Sequence, residues 1–171
     1  MLVKTIETEK IYFVLDDLVI SNATEPHIRE IAELWANLAS LQQIYAPKKY
    51  DFKLEGKDWQ SFVRRKLSKK NNLLLVACKK DNLEVQGFLY LQTIIVPPSN
   101  AILKAVVEDV YTKPQYREQG IAKKLLNVAL DWASTQNIKH VDIVSLNPSK
   151  DIYSRLVEKA EKDINVELVT V

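Results

Sequence analysis

The residues best suited to chemistry lie between Glu108 and Leu126, where Glu-Asp-Val-Tyr-Thr-Lys-Pro is followed by Gln-Tyr-Arg-Glu-Gln-Gly-Ile-Ala-Lys-Lys-Leu-Leu. An apolar, β-prone run stops at Lys113-Pro114, and helical periodicity begins at Gly120, so a strand end and a helix start are a few residues apart. The first turn of a helix has four amides without internal partners and carries the positive end of the helix dipole, so it can hold an anionic diphosphate. A side chain at position 120 would obstruct the approach of a phosphate to the main chain, and Gly120 has none. Ala122 is the next smallest residue in the turn, and Arg117, Lys123 and Lys124 add positive charge, each worth up to about 1 kcal/mol when exposed. Just upstream, Glu108 and Asp109 put two carboxylates side by side on the strand. Adjacent strand side chains point to opposite faces, so at most one of the two is expected to face a cleft directly.

The elements that must hold these residues are legible from periodicity. Ile11 to Ile20 alternates loosely as a strand or strand pair, and Thr24-Glu25-Pro26 reads as a capped helix start. Ile28, Ile31, Leu34, Trp35, Leu38 and Leu41 then recur at helical spacing. A polar, aromatic stretch from Tyr45 to Lys57 leads to a second helix, Asp58 to about Lys69, with Phe62, Val63 and Leu67 inward. Strands are expected at Asn72–Lys79, Leu83–Ile95 and Ile102–Thr112, the first two separated by the turn Lys80-Asp81-Asn82. Gly120 opens a helix to about Gln136 whose Ile121, Leu125, Val128, Ala129, Trp132 and Ala133 make one apolar stripe. A strand at Val141–Leu146, a helix at Pro148–Lys162 and a strand at Val166–Val171 complete the order β-α-α-β-β-β-α-β-α-β, an α/β (α+β) arrangement of a mixed sheet flanked by helices.

Composition narrows the function classes. The 171 residues suit a single domain, residues 1–171, with a proper core. With 47% apolar and 27% charged residues, the chain is built like a soluble globular protein. A net charge of +2, with lysines scattered among acidic residues, argues against nucleic acid as partner. The clusters Arg64-Arg65-Lys66 and Lys69-Lys70 read as a solvated helix end. One cysteine, Cys78, allows no intrachain disulfide and suits a reducing, cytoplasmic setting. No secretion signal is evident, and the longest apolar run, Leu73–Cys78, is too short to span a bilayer, so no membrane association is expected. His27 and His140 are too far apart for a helical pair motif and read as surface residues, and no metal site is expected.

The turn is not a Walker loop or a dinucleotide fingerprint. It resembles motif A of the GNAT acetyltransferase superfamily: Gln or Arg, two residues, Gly, any residue, then Gly or Ala, met here by Arg117, Gly120 and Ala122. The surroundings support the match, with a Val-aromatic-Thr strand end before Pro114 and an apolar helix after it. The resemblance covers most of the chain as element order, and residues 103–153 at residue level. It implies a GNAT-like, mostly antiparallel sheet, with acetyl-CoA as acyl donor in a cleft where the motif A strand splays from the next one. The pantetheine arm would pair with main-chain groups of Val110, Tyr111 and Thr112 like an added strand. Arg117 and the amides of Glu118, Gln119, Gly120, Ile121, Ala122 and Lys123 would hold the pyrophosphate.

Acyl transfer from a thioester to an amine needs an unprotonated amine, a polarised carbonyl and a proton for the thiolate. An alkyl amine of pKa about 10 is almost wholly protonated at neutral pH, so a carboxylate or water chain must remove a proton. Glu108 is the expected base, because it shares its parity with Val110 and Thr112, and an acidic pair here resembles the polyamine acetyltransferase branch; a solvated or helix-contacting carboxylate pair is the alternative. The resemblance assigns Tyr153 to protonate the thiolate, Asn147 to contact coenzyme A, and the Val110 amide to polarise the carbonyl. The interval from Asn147 to Tyr153 is one residue shorter than usual in the family. Tyr45, Tyr50 and Asp109 would line the acceptor side, where aromatic and acidic groups suit a cationic amine, while Trp35 and Trp59 are expected to fill core. After Tyr153 the family's terminal hairpin is half missing, so either a partner subunit in a homodimer completes the sheet or one wall of the acceptor pocket is open. Two activities follow: N-acetylation of a primary amine on a small polycation, an N-terminus or a lysine, or a GNAT-like acyl-CoA-binding module without turnover.

Overall fold

A computed structural model of the chain describes residues 10–50, 53, 57–96, 98, 101–146 and 164–170. A hairpin comes first, β1 (Ile11–Leu15) and β2 (Leu18–Asn22), turned at Asp16 with φ +50°. Thr24 then caps a single tight turn, Glu25–His27, that runs into α1 (Ile28–Tyr45). His27 is buried at 5% exposure and is not the surface residue expected. Its Nδ1 accepts the Thr24 N–H at 3.0 Å, so the ring is drawn in as the returning half of the helix cap. On α1, Ile28, Ile31, Leu34, Trp35 and Leu38 face the core as their spacing requires, and Gln42 is buried with them.

The second helix, α2 (Lys57–Leu67), packs beside α1. Three long strands follow: β3 (Leu73–Lys79), β4 (Val85–Val96) and β5 (Ala101–Thr112). β4 begins two residues later than the sequence suggests, because Leu83 takes a left-handed conformation (φ +56°) in the turn and stays exposed. Next come α3 (Ile121–Thr135), β6 (His140–Ser145) and β7 (Asn165–Thr170). The expected helix over Pro148–Lys162 lies outside the described residues.

The strands form one sheet in chain order, β1 to β7. Pairings from β1 to β5 are antiparallel, and β5–β6 and β6–β7 are parallel. This is the mixed, mostly antiparallel sheet flanked by helices that the sequence leads one to expect. Each face of the sheet carries its own core. Leu75, Leu89, Leu91 and Val107 pack under α3, whereas Leu74, Val76, Phe88, Tyr90 and Tyr111 pack under α1 and α2. The alternation along β3 and β4 is the period-two pleat with both faces buried, which explains why Leu73–Cys78 reads as a continuous apolar run.

Two irregularities of β5 shape the site. β5 pairs with β6 only through Ala105, Val106 and Val107, then runs on to Thr112 without β6 beside it. Its pairing with β4 slips at the same level: Tyr90 faces Asp109 while Leu91 faces Val107, so Glu108 is an extra residue, a β-bulge. The open part of the strand edge therefore begins at the bulge.

Candidate active site

The bulge overturns the parity argument for the acidic pair. Val107 belongs to the core under α3, and regular alternation would keep Asp109 on that face. The extra residue turns the strand over, so Glu108 and Asp109 both face α1 and α2, while Val110 packs against the α3 core. Glu108 thus does not share a face with Val110, and both carboxylates reach the same side.

Their surroundings differ. Asp109 accepts hydrogen bonds from Trp35 Nε1 at 3.1 Å and Gln42 Nε2 at 2.9 Å, one on each oxygen. Burial nevertheless pushes its carboxyl above the usual carboxylate range, helped by the neighbouring negative charge of Glu108 and opposed by the two donors and Lys66. Desolvation wins here, because two neutral donors do not replace the lost water. Glu108 is more open, with a side chain 34% exposed, and pairs with Lys66 Nζ at 3.5 Å. Lys66 lies 4.5 Å from the ring centre of Tyr90 and 5.3 Å from that of Phe62, and only 20% of its side chain is exposed. The last turn of α2 is thus only partly the solvated end expected. Arg64 points out to Glu25 at 2.7 Å, an exposed pair worth about 0.2–1 kcal/mol, but Lys66 turns inward.

Tyr90 completes this floor. Fully buried, it accepts a hydrogen bond from Asn72 Nδ2 at 2.7 Å, and burial with the charges of Glu108 and Asp109 pushes its phenol up to about 12. Tyr50 is half-buried nearby, and its phenol is raised by burial first and then by Asp109 and Glu108. Tyr45, at the end of α1, is 71% exposed. Trp35 and Trp59 are buried in the core as expected, but Trp35 also supplies the donor to Asp109. Asn147 and Tyr153 lie outside the described residues.

Sequence reasoning missed Lys66, Gln42 and Tyr90 as members of this cluster. A signal existed for the first two. Lys66 continues the inward stripe of Trp59, Phe62 and Val63, and Gln42 continues that of Trp35, Leu38 and Ala39, so each is a polar residue at a core position.

The turn before α3 is built for main-chain contact. Gly120 occupies the cap position with φ +76°, and a Cβ added there would meet nothing within 4 Å. Glycine is favoured by this left-handed backbone as well as by access. The first bond of α3 runs from Lys124 N–H to the Gly120 carbonyl at 3.0 Å, so the amides of Ile121, Ala122 and Lys123 precede the helical ladder. Ile121 and Tyr111 bury their side chains, which leaves only their main-chain groups for a ligand. Glu118 holds a strained φ of +64°, and Gln119 Nε2 donates to the Gln115 carbonyl at 3.4 Å, so both serve the turn itself. Arg117 Nε donates to the Thr112 carbonyl at 3.2 Å, which folds its guanidinium across the end of β5 over Tyr111. Thr112 Oγ1 is buried without a hydrogen-bond partner among the described residues.

Ion pairs anchor the turn from behind. Lys113 Nζ bridges Glu30 at 3.2 Å and Glu84 at 3.3 Å, while Tyr116 donates its hydroxyl proton to Glu84 at 2.9 Å. The Tyr116 bond, and then Lys113, hold the Glu84 carboxyl below the usual range against a smaller effect of burial. A shallow depression of about 170 Å³ between β1 and α3, lined by residues that include Tyr12 and Trp132, lies on the opposite face of the sheet from Glu108 and belongs to neither feature. Among the described residues no group of three or more His, Cys, Asp or Glu could hold a metal ion, and no helix is long and apolar enough to cross a membrane.

The family model for the acetyltransferase (GNAT) family matches residues 35–157, and the chain belongs to that family. No curated protein matches it in sequence. Among solved structures, a ribosomal-protein-alanine N-acetyltransferase from Brucella melitensis biovar Abortus 2308 superposes with a TM-score of 0.60 at 20% identity, covering 84% of this chain and 90% of that one. An aminoglycoside acetyltransferase from an uncultured soil metagenomic sample, in complex with sisomicin, gives 0.62 at 16% identity, with 90% and 93% covered. A predicted acetyltransferase with acetyl-CoA from Clostridium acetobutylicum gives 0.60 at 19%, with 81% and 88% covered. Likeness at these identities establishes the fold.

Proposed function

We propose that the chain is an acetyl-CoA-dependent N-acetyltransferase that moves an acetyl group directly to a primary amine. The observation that carries this reading is a coincidence of position: the open edge of β5 begins at the residue where the bulge presents Glu108. A donor paired along that edge would bring its thioester close to a carboxylate. The residues present fit such a ligand, given the left-handed Gly120 with open space at its Cβ, the amides of Ile121, Ala122 and Lys123, and the unpartnered Thr112 hydroxyl. Acetyl-CoA, when bound, supplies the activated acetyl group.

The chain's own residues then divide the work. The amides at the start of α3 take the diphosphate, aided by the helix dipole, with Arg117 and Lys123 adding charge. Glu108 removes a proton from the acceptor ammonium. Asp109, fixed by Trp35 and Gln42, keeps a second carboxyl beneath the site and orients Glu108's side of the strand. Tyr50 gives the acceptor side an aromatic ring on which a cationic amine can rest. Tyr153 is the proposed proton donor to the thiolate, with Asn147 beside the coenzyme. The acceptor is a small polycation or an N-terminal or lysine amine, and two fold neighbours named for ribosomal-protein alanine and for aminoglycosides are in keeping with an amine. A cytoplasmic location and a homodimer belong to the same reading.

One observation favours the alternative of an acyl-CoA-binding module without turnover: Glu108 already has a cation, Lys66, as its partner. Free-thiol release measured across polyamines, aminoglycosides and peptides separates the two. The enzyme gives acceptor-dependent thiol, and the module gives background although calorimetry shows acetyl-CoA binding. Absence of binding at high micromolar acetyl-CoA would overturn both.

A further inference from the structure

The basic residue nearest the acidic floor has no role in the scheme above. Lys66 Nζ lies 3.5 Å from Glu108 Oε2 and stands over the rings of Phe62 and Tyr90. An ammonium held over two aromatic faces and against one carboxylate is ordered, because each contact lowers the freedom of a side chain that otherwise samples many rotamers. The surroundings that would select an acceptor amine are therefore occupied by a primary amine of the chain. Its partner, moreover, is the carboxylate assigned as the base. Lys66, the bulge and the beginning of the open β5 edge all lie at one level of the sheet.

We propose that Lys66 is itself an acetyl acceptor, so that the chain acetylates this lysine from acetyl-CoA when no competing amine is present. The inference rests on the acetyltransferase reading given above. Glu108 takes one proton from the Lys66 ammonium, and the nitrogen lone pair forms a bond to the thioester carbonyl carbon. The carbon–sulfur bond breaks, sulfur leaves as the thiolate, and a second proton from nitrogen balances the one that sulfur gains. Ammonium and thioester thus become amide, free thiol and one released proton, with no change of oxidation state. The product is neutral, so it gives up both the ion pair to Glu108 and the cation's attraction to the rings, and Glu108 is left open to an incoming acceptor.

The test uses the full chain with acetyl-CoA and no added amine, followed over time by peptide mapping in a mass spectrometer. Lys69, Lys70, Lys80 and Lys123 are exposed, whereas the Lys66 side chain is only 20% exposed. Accessibility alone would make Lys66 slower than those four. Acetic anhydride, which needs no bound donor, is expected to give that order. With acetyl-CoA the order is expected to reverse, with a Lys66 rate independent of protein concentration and slowed by added CoA. Glu108→Gln should slow this acetylation by about a hundredfold or more without slowing the anhydride reaction at Lys66. The proposal is overturned if acetyl-CoA modifies Lys66 no faster than the exposed lysines, or at a rate proportional to protein concentration. A chain that acetylates an added amine yet leaves Lys66 untouched refutes this inference alone. A chain that binds no acetyl-CoA refutes the acetyltransferase reading with it.

Discussion

Glu108 and Asp109 are neighbours with the same functional group and different surroundings, and that difference sets separate expectations for each. Glu108 is partly exposed and its one ion pair, to Lys66, spans 3.5 Å, so replacing it removes proton transfer and little else. Glu108→Gln should lower kcat by about 10²–10⁴ while the calorimetric affinity for acetyl-CoA stays within twofold to threefold. Equal losses in kcat and in donor affinity would remove Glu108 from the role of base. Asp109 is a matter of stability. Its folded carboxyl is raised by burial above its unfolded value, so the folded chain holds that proton more tightly than the unfolded chain does. The associated stability is fully present at acid pH and is lost as pH climbs from the unfolded value of about 3.9 through the folded one. Asp109→Asn does not titrate, so wild type should lose stability relative to the variant as pH rises across that window. Denaturant unfolding of both chains from pH 4 to 7 checks this, and a gap that does not change with pH would contradict it.

At the scale of elements, two glycines distinguish a packing requirement from a ligand requirement. Gly87 on β4 lies opposite Thr112, and a Cβ there would stand 2.7 Å from the Tyr111 carbonyl oxygen, which is main chain and cannot swing away. Gly87→Ala must push β4 and β5 apart, at about 1–3 kcal/mol of stability. At Gly120 the added Cβ meets nothing, so Gly120→Ala costs only its left-handed backbone, about 1–2 kcal/mol. The two variants should therefore separate in donor binding more than in stability. Gly120→Ala should raise the KM for acetyl-CoA, because its Cβ stands where the diphosphate must approach, and Gly87→Ala should affect folding first. Parallel unfolding and calorimetric titrations distinguish them; a Gly120→Ala chain with unaltered donor affinity would mean that the turn does not hold the diphosphate.

For the whole molecule, donor binding is linked to folding. A ligand at about a hundred times its Kd stabilises the state that binds it by about 2.7 kcal/mol. In a chain of this size that corresponds to a rise in Tm of about 5–11 °C. Acetyl-CoA should produce such a rise in the intact chain, and a much smaller one after Gly120→Ala. A Tm unmoved by saturating acetyl-CoA would sink the donor assignment. The anchoring network gives this linkage a structural route, because Lys113 joins the turn to α1 through Glu30 and to the start of β4 through Glu84.

The sequence by itself determined the elements and the turn. Apolar periodicity located α1, α2, α3 and the strands β3 to β7 to within a few residues, and left β1 and β2 as one strand or a pair, because period and propensity are local properties. Arg117, Gly120 and Ala122 marked the helix start, since the left-handed cap and small side chains are demands that a few adjacent residues meet alone. Only the tertiary structure decided which way the acidic pair points. Glu108 and Asp109 both reach the side of α1 and α2 because β5 slips one residue against β4, and a register shift depends on the partner strand rather than on the strand's own pattern. Asp109 owes its environment to Trp35 and Gln42, which lie 74 and 67 residues away in the chain. Lys66 reads as one more cation at a helix end until Phe62, Tyr90 and Glu108 are assembled around it, since no local rule specifies a contact that three separate segments must make together.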